Sequence, residues 1–362
     1  MPDTIAIAMS GGIDSLMTAA ILKDQGYPVI GMHFLTGFET PGDGSASLGP
    51  GPNDHGSAEM TAVRRLQPMV DQLEIPLHII DMRAEFKRLV VDYFIRTYQA
   101  GKTPNPCMRC NPTIKFGHLM NSARQYGASR LATGHYARLE NGPNGRIRLL
   151  RGVDANKDQS YFLARLTQAQ LQSAVLPLGS YTKDQVRRMA ADRDLRPAAA
   201  QESQDVCFIR DGRYGAFLKQ QPGFSAEPGP IVDVAGKTLG RHNGLHLFTI
   251  GQRRGINCPA DAPFYVLRIE PEHNRLVVGR KEDLSTRCFT AEAVNWIAPR
   301  PLRPISIEVR VRYRHTAVPA ILTPVGDDMA DIVFDTPHPA VSPGQGAVFY
   351  HDQEVLGGGW IQ

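Results

Sequence analysis

The sequence predicts an α/β protein: a doubly wound parallel sheet, then a small β-rich central domain and a C-terminal β-barrel. Three observations predict it. From Thr4 to Thr133, short apolar runs alternate with longer runs of helical period, the pattern of parallel βαβ units. Beyond Cys207 the chain breaks into short β-like runs divided by Gly, Pro and Asp, a spacing that suits small β domains, the last of them a barrel. The change of pattern sets expected domains at 1–205, 206–284 and 285–362.

The elements follow in order. Thr4 to Met9 alternates small and branched apolar residues and reads as a buried strand. Ser10, Gly11 and Gly12 make a turn. From Asp14 to Gln25 the period becomes helical, with Leu16, Met17, Ala20 and Ile21 on one side and Gly26 at the stop. Strands are expected at Val29–Phe34, Leu77–Asp81 and Arg130–Thr133, and helices at 58–73, 84–100 and 114–126. Residues 37–58 are rich in Gly and Pro and hold no Lys or Arg; they read as a mobile surface loop. Thr182 and Gln185 form a capping box for a helix that runs to about Asp194. Later strands are expected at Leu247–Ile250, Phe264–Ile269, Arg275–Val278, Ile305–Tyr313, Asp331–Phe334 and Ala347–Tyr350.

Composition narrows the function classes. The 362 residues are 42% hydrophobic and 21% charged, an ordinary globular balance with room for more than one core. A net charge of +4 permits a nucleic-acid partner without demanding one. No apolar run of about 18 residues is present, so no membrane span is expected. The start MPDTIAIAMSGG lacks a basic n-region and does not read as a signal peptide. Cysteines at 107, 110, 207, 258 and 288 are odd in number and do not suggest a secreted disulfide framework. A reducing cytoplasmic location with reactive or metal-ligating thiols is the expectation.

Two segments carry chemistry. Ala8-Met9-Ser10-Gly11-Gly12-Ile13-Asp14-Ser15 lies between a strand and a helix. A helix N-terminus presents free N–H groups and partial positive charge, and the glycines allow close approach, so the segment suits an anion. It has neither the Gly-Lys-Ser/Thr ending of a Walker A loop nor G-x-G-x-x-G. Asp14 reads either as a ligand of a phosphate-bridging magnesium ion or as a first-turn acid favoured by the helix dipole. The second segment is Thr103-Pro104-Asn105-Pro106-Cys107-Met108-Arg109-Cys110-Asn111, where the prolines are expected to keep the chain out of a helix. Ser203-Gln204-Asp205-Val206-Cys207 supplies a third thiol. Persulfide chemistry, an iron–sulfur cluster on Cys107, Cys110 and Cys207, half a zinc site and inert buried thiols are all open readings. Cys258 and Cys288 read as structural or incidental.

The SGGIDS string resembles the pyrophosphatase loop (PP-loop) of enzymes that cleave ATP between the α and β phosphates. The chain as a whole resembles the tRNA-specific 2-thiouridylases. The likeness rests on SGGIDS at 10–15, TPNPCMRCNPTIKF at 103–116, ATGHYAR at 132–138, LLRGVDANKDQSYFL at 149–163, SQDVCFI at 203–209, GLHLFTIGQRRGI at 244–256, YVLRIEPEHNRLVVG at 265–279 and VRYRH at 311–315. The resemblance implies a PP-loop, adenine-nucleotide-hydrolase-like sheet domain. It implies adenylation of uracil O2 on tRNA by ATP and Mg2+, then attack at C2 by persulfide sulfur supplied by a donor protein or sulfide. It also implies roles. Ala8, Met9, Ser10, Gly11, Gly12, Ile13, Asp14 and Ser15, with Met32 and Gly134, hold ATP. Asn105, Pro106 and Cys107 face the target base. Cys110 is the nucleophile and Cys207 the persulfide carrier. His135, Lys157, Asp158, Gln159, Arg312, Tyr313 and Gln345 contact tRNA.

Bland readings stand beside these. His135 also has a reading as a core histidine, and Lys157 with Asp158 one as a solvated turn pair. Arg310, Arg312 and Arg314 alternate, so they would share one strand face, phosphate-gripping or merely wet. The sequence departs from the family twice. Cys107 stands where many members carry an acid, which favours a three-cysteine [4Fe-4S] cluster. Leu16 replaces the second serine often seen after Asp-Ser. The rival function is a PP-loop ATP pyrophosphatase acting on a small molecule.

Overall fold

The computed structural model describes residues 3–39, 55–198, 206–209, 214–339 and 341–362, with 55–57 as backbone alone. Most of the Gly/Pro-rich loop expected at 37–58 lies outside the described residues, and its last residues belong to a helix beginning at His55. The chain divides into two compact units, Met1–Val90 with Cys107–Phe208 and Gln353–Val355, and Val91–Pro106 with Ile209–Asp352 and Leu356–Gln362.

The first unit is built on a parallel sheet. Strand β1 (Ile5–Ala8) leads through α1 (Ile13–Asp24) to β2 (Val29–Leu35), then through α2 (His55–Asp71) to β3 (Leu77–Asp81). A helical run α3 (83–99), which belongs to the second unit from Val91 on, and a second run α4 (106–125) precede β4 (Arg130–Ala132). The hairpin β5 (Ala137–Asn141) and β6 (Ile147–Arg151), the short helices α5 (Ser160–Leu163) and α6 (Gln168–Ser173), strand β7 (Ala174–Val175) and helix α7 (Lys183–Asp192) complete it. The sheet order is β3-β2-β1-β4-β7 and its pairings are parallel. Ile5, Ile7, Leu16, Met17, Leu66, Val70 and Leu178 pack together in its core. With both faces covered, β1 and β2 are apolar almost throughout instead of alternating. The chain runs outward from β1 to β2 and β3, then returns to β4 on the other side of β1. That reversal opens a crevice outside the C-terminal ends of β1 and β4, where doubly wound sheets bind ligands.

The second unit is mostly β. After α8 (Tyr214–Lys219), strands β8 (Gly229–Val232), β9 (Thr238–His242), β10 (Tyr265–Glu270) and β11 (Arg275–Gly279) make a sheet of order β10-β11-β8-β9. Ile231, Phe248, Val266, Leu276 and Val278 form its core. Strands β12 (Ser285–Trp296), β13 (Ile305–Arg310), β14 (Val318–Val325), β15 (Met329–Pro339), β16 (Gly346–His351) and β17 (Glu354–Ile361) follow. β12 pairs antiparallel with both β15 and β17, closing the expected barrel. Alternate residues Ala320 and Leu322 of β14 and Ala330, Ile332 and Phe334 of β15 fill its interior.

Three expectations need correction. The strand expected at Leu247–Ile250 is a 3-10 turn at Leu245–Leu247 followed by a loop. Gly244 at φ 129° and Gly251 at φ 85° bracket it, and Thr249 N–H donates to Gln252 Oε1 at 3.1 Å, closing a turn. The run Ile305–Tyr313 ends as a strand at Arg310. Arg310 Nε donates to the His315 carbonyl at 2.9 Å, so 311–315 turn back and Arg312 and Arg314 share no strand face with Arg310. The cysteine segment, expected to be extended up to a helix at 114, is helical from Pro106 onward. Pro106 at the first helical position lacks only an N–H that would be unpaired anyway. Pro112 falls in a π segment, Asn111–Leu119, whose wider turn accommodates it.

Candidate active site

The anion-binding loop forms as its residues dictate. Gly12 is the N-cap of α1, and Gly11 takes φ 90°, the left-handed region that favours glycine. Ser15, almost fully buried, donates through Oγ to the Gly12 carbonyl at 2.9 Å and accepts from Ser10 N–H at 3.3 Å. These bonds leave Ser10 exposed at the positive end of a twelve-residue helix. Ala8 ends β1 and Ile13 opens α1. Met32 is fully buried; its carbonyl accepts from Met9 N–H at 2.7 Å, so it fixes the loop's start from within the core. His33, its pKa lowered by burial, holds the Met9 carbonyl through Nδ1 at 2.7 Å.

Asp14 is held by residues far along the chain. Lys183 Nζ lies 2.8 Å from both carboxylate oxygens, and Tyr136 Oη donates to Oδ1 at 2.8 Å. Gly134, just beyond β4, passes so close that a Cβ there would lie 2.9 Å from Asp14 Cβ. The two sides of the crevice therefore meet at Asp14 and Gly134.

The thiols sit beside this crevice. Cys107 and Cys110 occupy the first turns of α4, and Gly117 lets the Pro112 carbonyl approach to 2.9 Å of where its Cβ would be. Gln170 Nε2 donates to the carbonyls of Pro112 and Phe116, at 2.7 and 3.2 Å, within the π segment. In an α-helix, residues five apart point about 140° away from each other. The π turn instead stacks Lys115 one turn below Cys110.

Electrostatics ties the set together. Burial pushes Cys110 up to about 12, with Lys115 opposing and Cys107 adding to the rise. Cys107 is raised by burial too, again opposed by Lys115. Cys207 has an exposed surface, which governs its reach to reagents, yet surrounding protein still pushes its thiol up to about 12, helped by Cys110 and Cys107. Lys115 Nζ is 3.4 Å from His135 Nε2, and Thr133 Oγ1 is 2.7 Å from His135 Nδ1. Burial holds His135 well below its usual pKa. A neutral ring accepting from Lys115 carries its proton on Nδ1 and donates to Thr133, a tautomer assigned from its partners. The path from the nucleotide loop to the thiols is thus Asp14, Gly134, His135, Lys115. Although the three thiols influence one another, among the described residues no three His, Cys, Asp or Glu side chains converge to hold a metal.

The residues expected at tRNA are placed as follows. Asp158 is buried, and its carboxylate accepts from Gly152 N–H, Ser160 N–H and Ser160 Oγ at 3.0–3.1 Å. Gln159 accepts from Tyr136 N–H at 3.0 Å, and Lys157 is partly exposed on the preceding turn. In the second unit, Arg312 donates to the Ile250 carbonyl and Ser342 Oγ at 2.8 and 2.7 Å. Tyr313 lies under the Arg310 guanidinium, 5.3 Å from ring centre to Cζ. Gln345 Nε2 donates to the Pro104 and Thr103 carbonyls at 2.9 and 3.3 Å. Asn105 is buried, with its N–H on Tyr93 Oη. Cys258 is partly buried in the four-stranded sheet's core and Cys288 is exposed on β12.

Sequence reasoning missed Lys183, Tyr136, Lys115 and Gln170. One signal was available: Lys183 follows a capping Thr182, and a cation in a helix's first turn opposes the dipole, so it calls for a carboxylate.

The chain is similar to known proteins along nearly its whole length. Residues 3–211 match the family model described as a tRNA methyl transferase HUP domain. Residues 215–280 match a tRNA methyl transferase PRC-barrel domain, and 286–361 an aminomethyltransferase beta-barrel domain. The chain is 48% identical over 358 residues to the tRNA-specific 2-thiouridylase MnmA of Desulfosudis oleivorans, covering 99% of this chain and 94% of that protein. It is 43% identical over 361 residues to that of Chloroflexus aurantiacus, covering 99% and 98%. The chain belongs to the tRNA-specific 2-thiouridylase family.

Proposed function

We propose that this chain thiolates C2 of the wobble uridine of tRNA while cleaving ATP to AMP and pyrophosphate. The observation that carries the reading is the contact path from the anion-binding loop at Asp14, through Gly134 and His135, to Lys115, whose charge acts on the three thiols. A crevice that binds a triphosphate and a cluster of nucleophiles beside it are what adenylation followed by sulfur transfer requires. The loop from Ala8 to Ser15 receives ATP, with Met32 and Gly134 shaping its floor and Mg2+ accompanying the phosphates. Uracil O2 attacks the α-phosphorus and pyrophosphate leaves. This converts a poor oxygen leaving group into AMP.

Sulfur then moves in balanced steps. The terminal sulfur of a Cys207 persulfide bonds to C2, and AMP departs with the former O2. The Cys110 thiolate attacks the Cys207 sulfur, a Cys110–Cys207 disulfide forms, and the C2–S group is released as the thiocarbonyl. A dithiol reductant returns two electrons to the disulfide. A sulfur-donor protein carrying a persulfide passes its terminal sulfur to the reduced thiol of Cys207, an exposed residue, and leaves as a thiol; sulfide reloads it instead by attacking the Cys207 sulfur of the Cys110–Cys207 disulfide, which frees Cys110 as the leaving thiolate. Asn105, Pro106 and Cys107 face the base. Cys107 supplies no carboxylate for acid–base work; the persulfide route uses Cys110 and Cys207, and a [4Fe-4S] cluster on Cys107, Cys110 and Cys207 is the alternative sulfur carrier. Lys157, Gln159, Arg312 and Tyr313 contact tRNA. His135, Asp158 and Gln345 support it indirectly by holding Lys115 and the chain's own backbone.

Domains at 1–205, 206–284 and 285–362 fit the change from parallel sheet to β structure. A cytoplasmic setting, where thiols stay reduced, fits five free cysteines. Pyrophosphate release that requires tRNA supports this function. Release without tRNA, driven by a small acceptor, favours the small-molecule rival.

A further inference from the structure

We propose that Lys183 is the charge-balancing residue of the nucleotide site. Its ammonium neutralises Asp14, so the triphosphate meets the field of α1 and its N–H groups without facing a bare carboxylate. The inference rests on the proposed ATP-binding role of the loop and assigns a role to a residue outside it.

The geometry carries it. Asp14 lies in the first turn of α1, within the loop that must take a highly charged anion. An acid there gains from the helix dipole but repels phosphate. Lys183 Nζ sits 2.8 Å from both of its oxygens, and Tyr136 Oη binds Oδ1 at 2.8 Å. The Lys183 side chain is 4% exposed and that of Asp14 30% exposed, so the cation is enclosed while the carboxylate faces the crevice. Lys183 also pays against the dipole of its own helix, α7, where it is the first residue after the capping Thr182. A buried cation at the positive end of a helix persists only with a compensating anion. Asp14 is that anion, and the backbone fixes the match: the Lys183 N–H donates to Asp154 Oδ2 at 2.9 Å, pinning the start of α7. With both oxygens committed, Asp14 in this state is an ion-pair partner and not a magnesium ligand.

The test is a charge cycle on the full chain: wild type, Lys183→Met, Asp14→Asn and the double variant. Equilibrium dialysis with α,β-methylene-ATP, with and without magnesium, gives affinity, and thermal melting gives the shift caused by the nucleotide. Removing Lys183 exposes the triphosphate to Asp14, weakening binding on the order of tenfold to a hundredfold at an effective protein dielectric. Asp14→Asn takes the Asp14 carboxylate away from Lys183, so the nucleotide-free protein melts lower, while the analogue binds more tightly and gives a larger melting shift than in wild type. The double variant returns towards wild-type affinity, a rescue that loss of packing cannot produce. A double variant as weak as Lys183→Met overturns the proposal in favour of direct phosphate contact by Lys183. Asp14→Asn losing its magnesium-dependent affinity overturns it in favour of metal ligation, and that comparison decides the matter if Lys183→Met does not fold. Wild type that binds no nucleotide overturns both this inference and the proposed function, whereas the other failures leave that function standing.

Discussion

Gln170 Nε2 lies 2.7 Å from the carbonyl oxygen of Pro112. The same side chain accepts from Thr167 N–H through Oε1 at 3.0 Å, completing the capping box of α6. One glutamine therefore fastens a helix start to the π segment that turns Lys115 towards the thiols. Gln170→Ala frees two carbonyls and lets that segment relax towards α geometry. Because misplacing a reacting group by about 1 Å costs on the order of 10²-fold, thiolation by this variant is expected to fall by about that factor. ATP affinity stays unchanged. Single-turnover thiolation beside equilibrium ATP binding checks both halves.

Gly134→Ala places a Cβ 2.9 Å from Asp14 Cβ and 3.0 Å from its carbonyl carbon. These are main-chain and stem atoms that cannot swing aside. The loop must shift, and ATP affinity is expected to drop by on the order of tenfold or more, with the overpacking costing about 1–3 kcal/mol of stability. Equilibrium dialysis and chemical denaturation report the two effects separately.

Cys207→Ser is expected to abolish 2-thiouridine formation and spare ATP binding, since Cys207 is the exposed thiol beside Cys110 and Cys107. Normal turnover in this variant contradicts its assignment as sulfur carrier.

The thiols also predict a pH dependence. Burial raises Cys110 to about 12, so its neutral form dominates at pH 8 and only the thiolate reacts with alkylating reagents. Alkylation of Cys110 in the free enzyme is expected to be slow at pH 8 and to climb about tenfold per pH unit until it levels near its pKa. Mass spectrometry of the labelled peptide follows it. A plateau below pH 9 contradicts the buried, neutral thiol.

What the sequence disclosed was mostly local. The turn between β1 and α1 is written in two adjacent glycines and a change of period, and Thr182 with Gln185 caps α7 as read. The barrel's closing strands are legible where they alternate, as in β15. Three features were not legible. The helix at Pro106 was hidden because the prolines at 104 and 106 read as helix-excluding, and the π segment that follows is bonded to Gln170, 58 positions from Pro112. The partner of Asp14 lies 169 positions on, at Lys183. The strand read to Tyr313 carries the right alternation, but the hydrogen bond from Arg310 to His315 turns the chain back first.

The most direct measurement of the central claim is nucleoside mass analysis of unmodified tRNA incubated anaerobically with the enzyme, ATP, Mg2+ and a sulfur donor that carries its sulfur as a persulfide. The account predicts a 2-thiouridine peak that vanishes without ATP. No peak from protein that binds ATP and has Cys110 and Cys207 reduced, with a sulfur-donor protein also supplied, would contradict it.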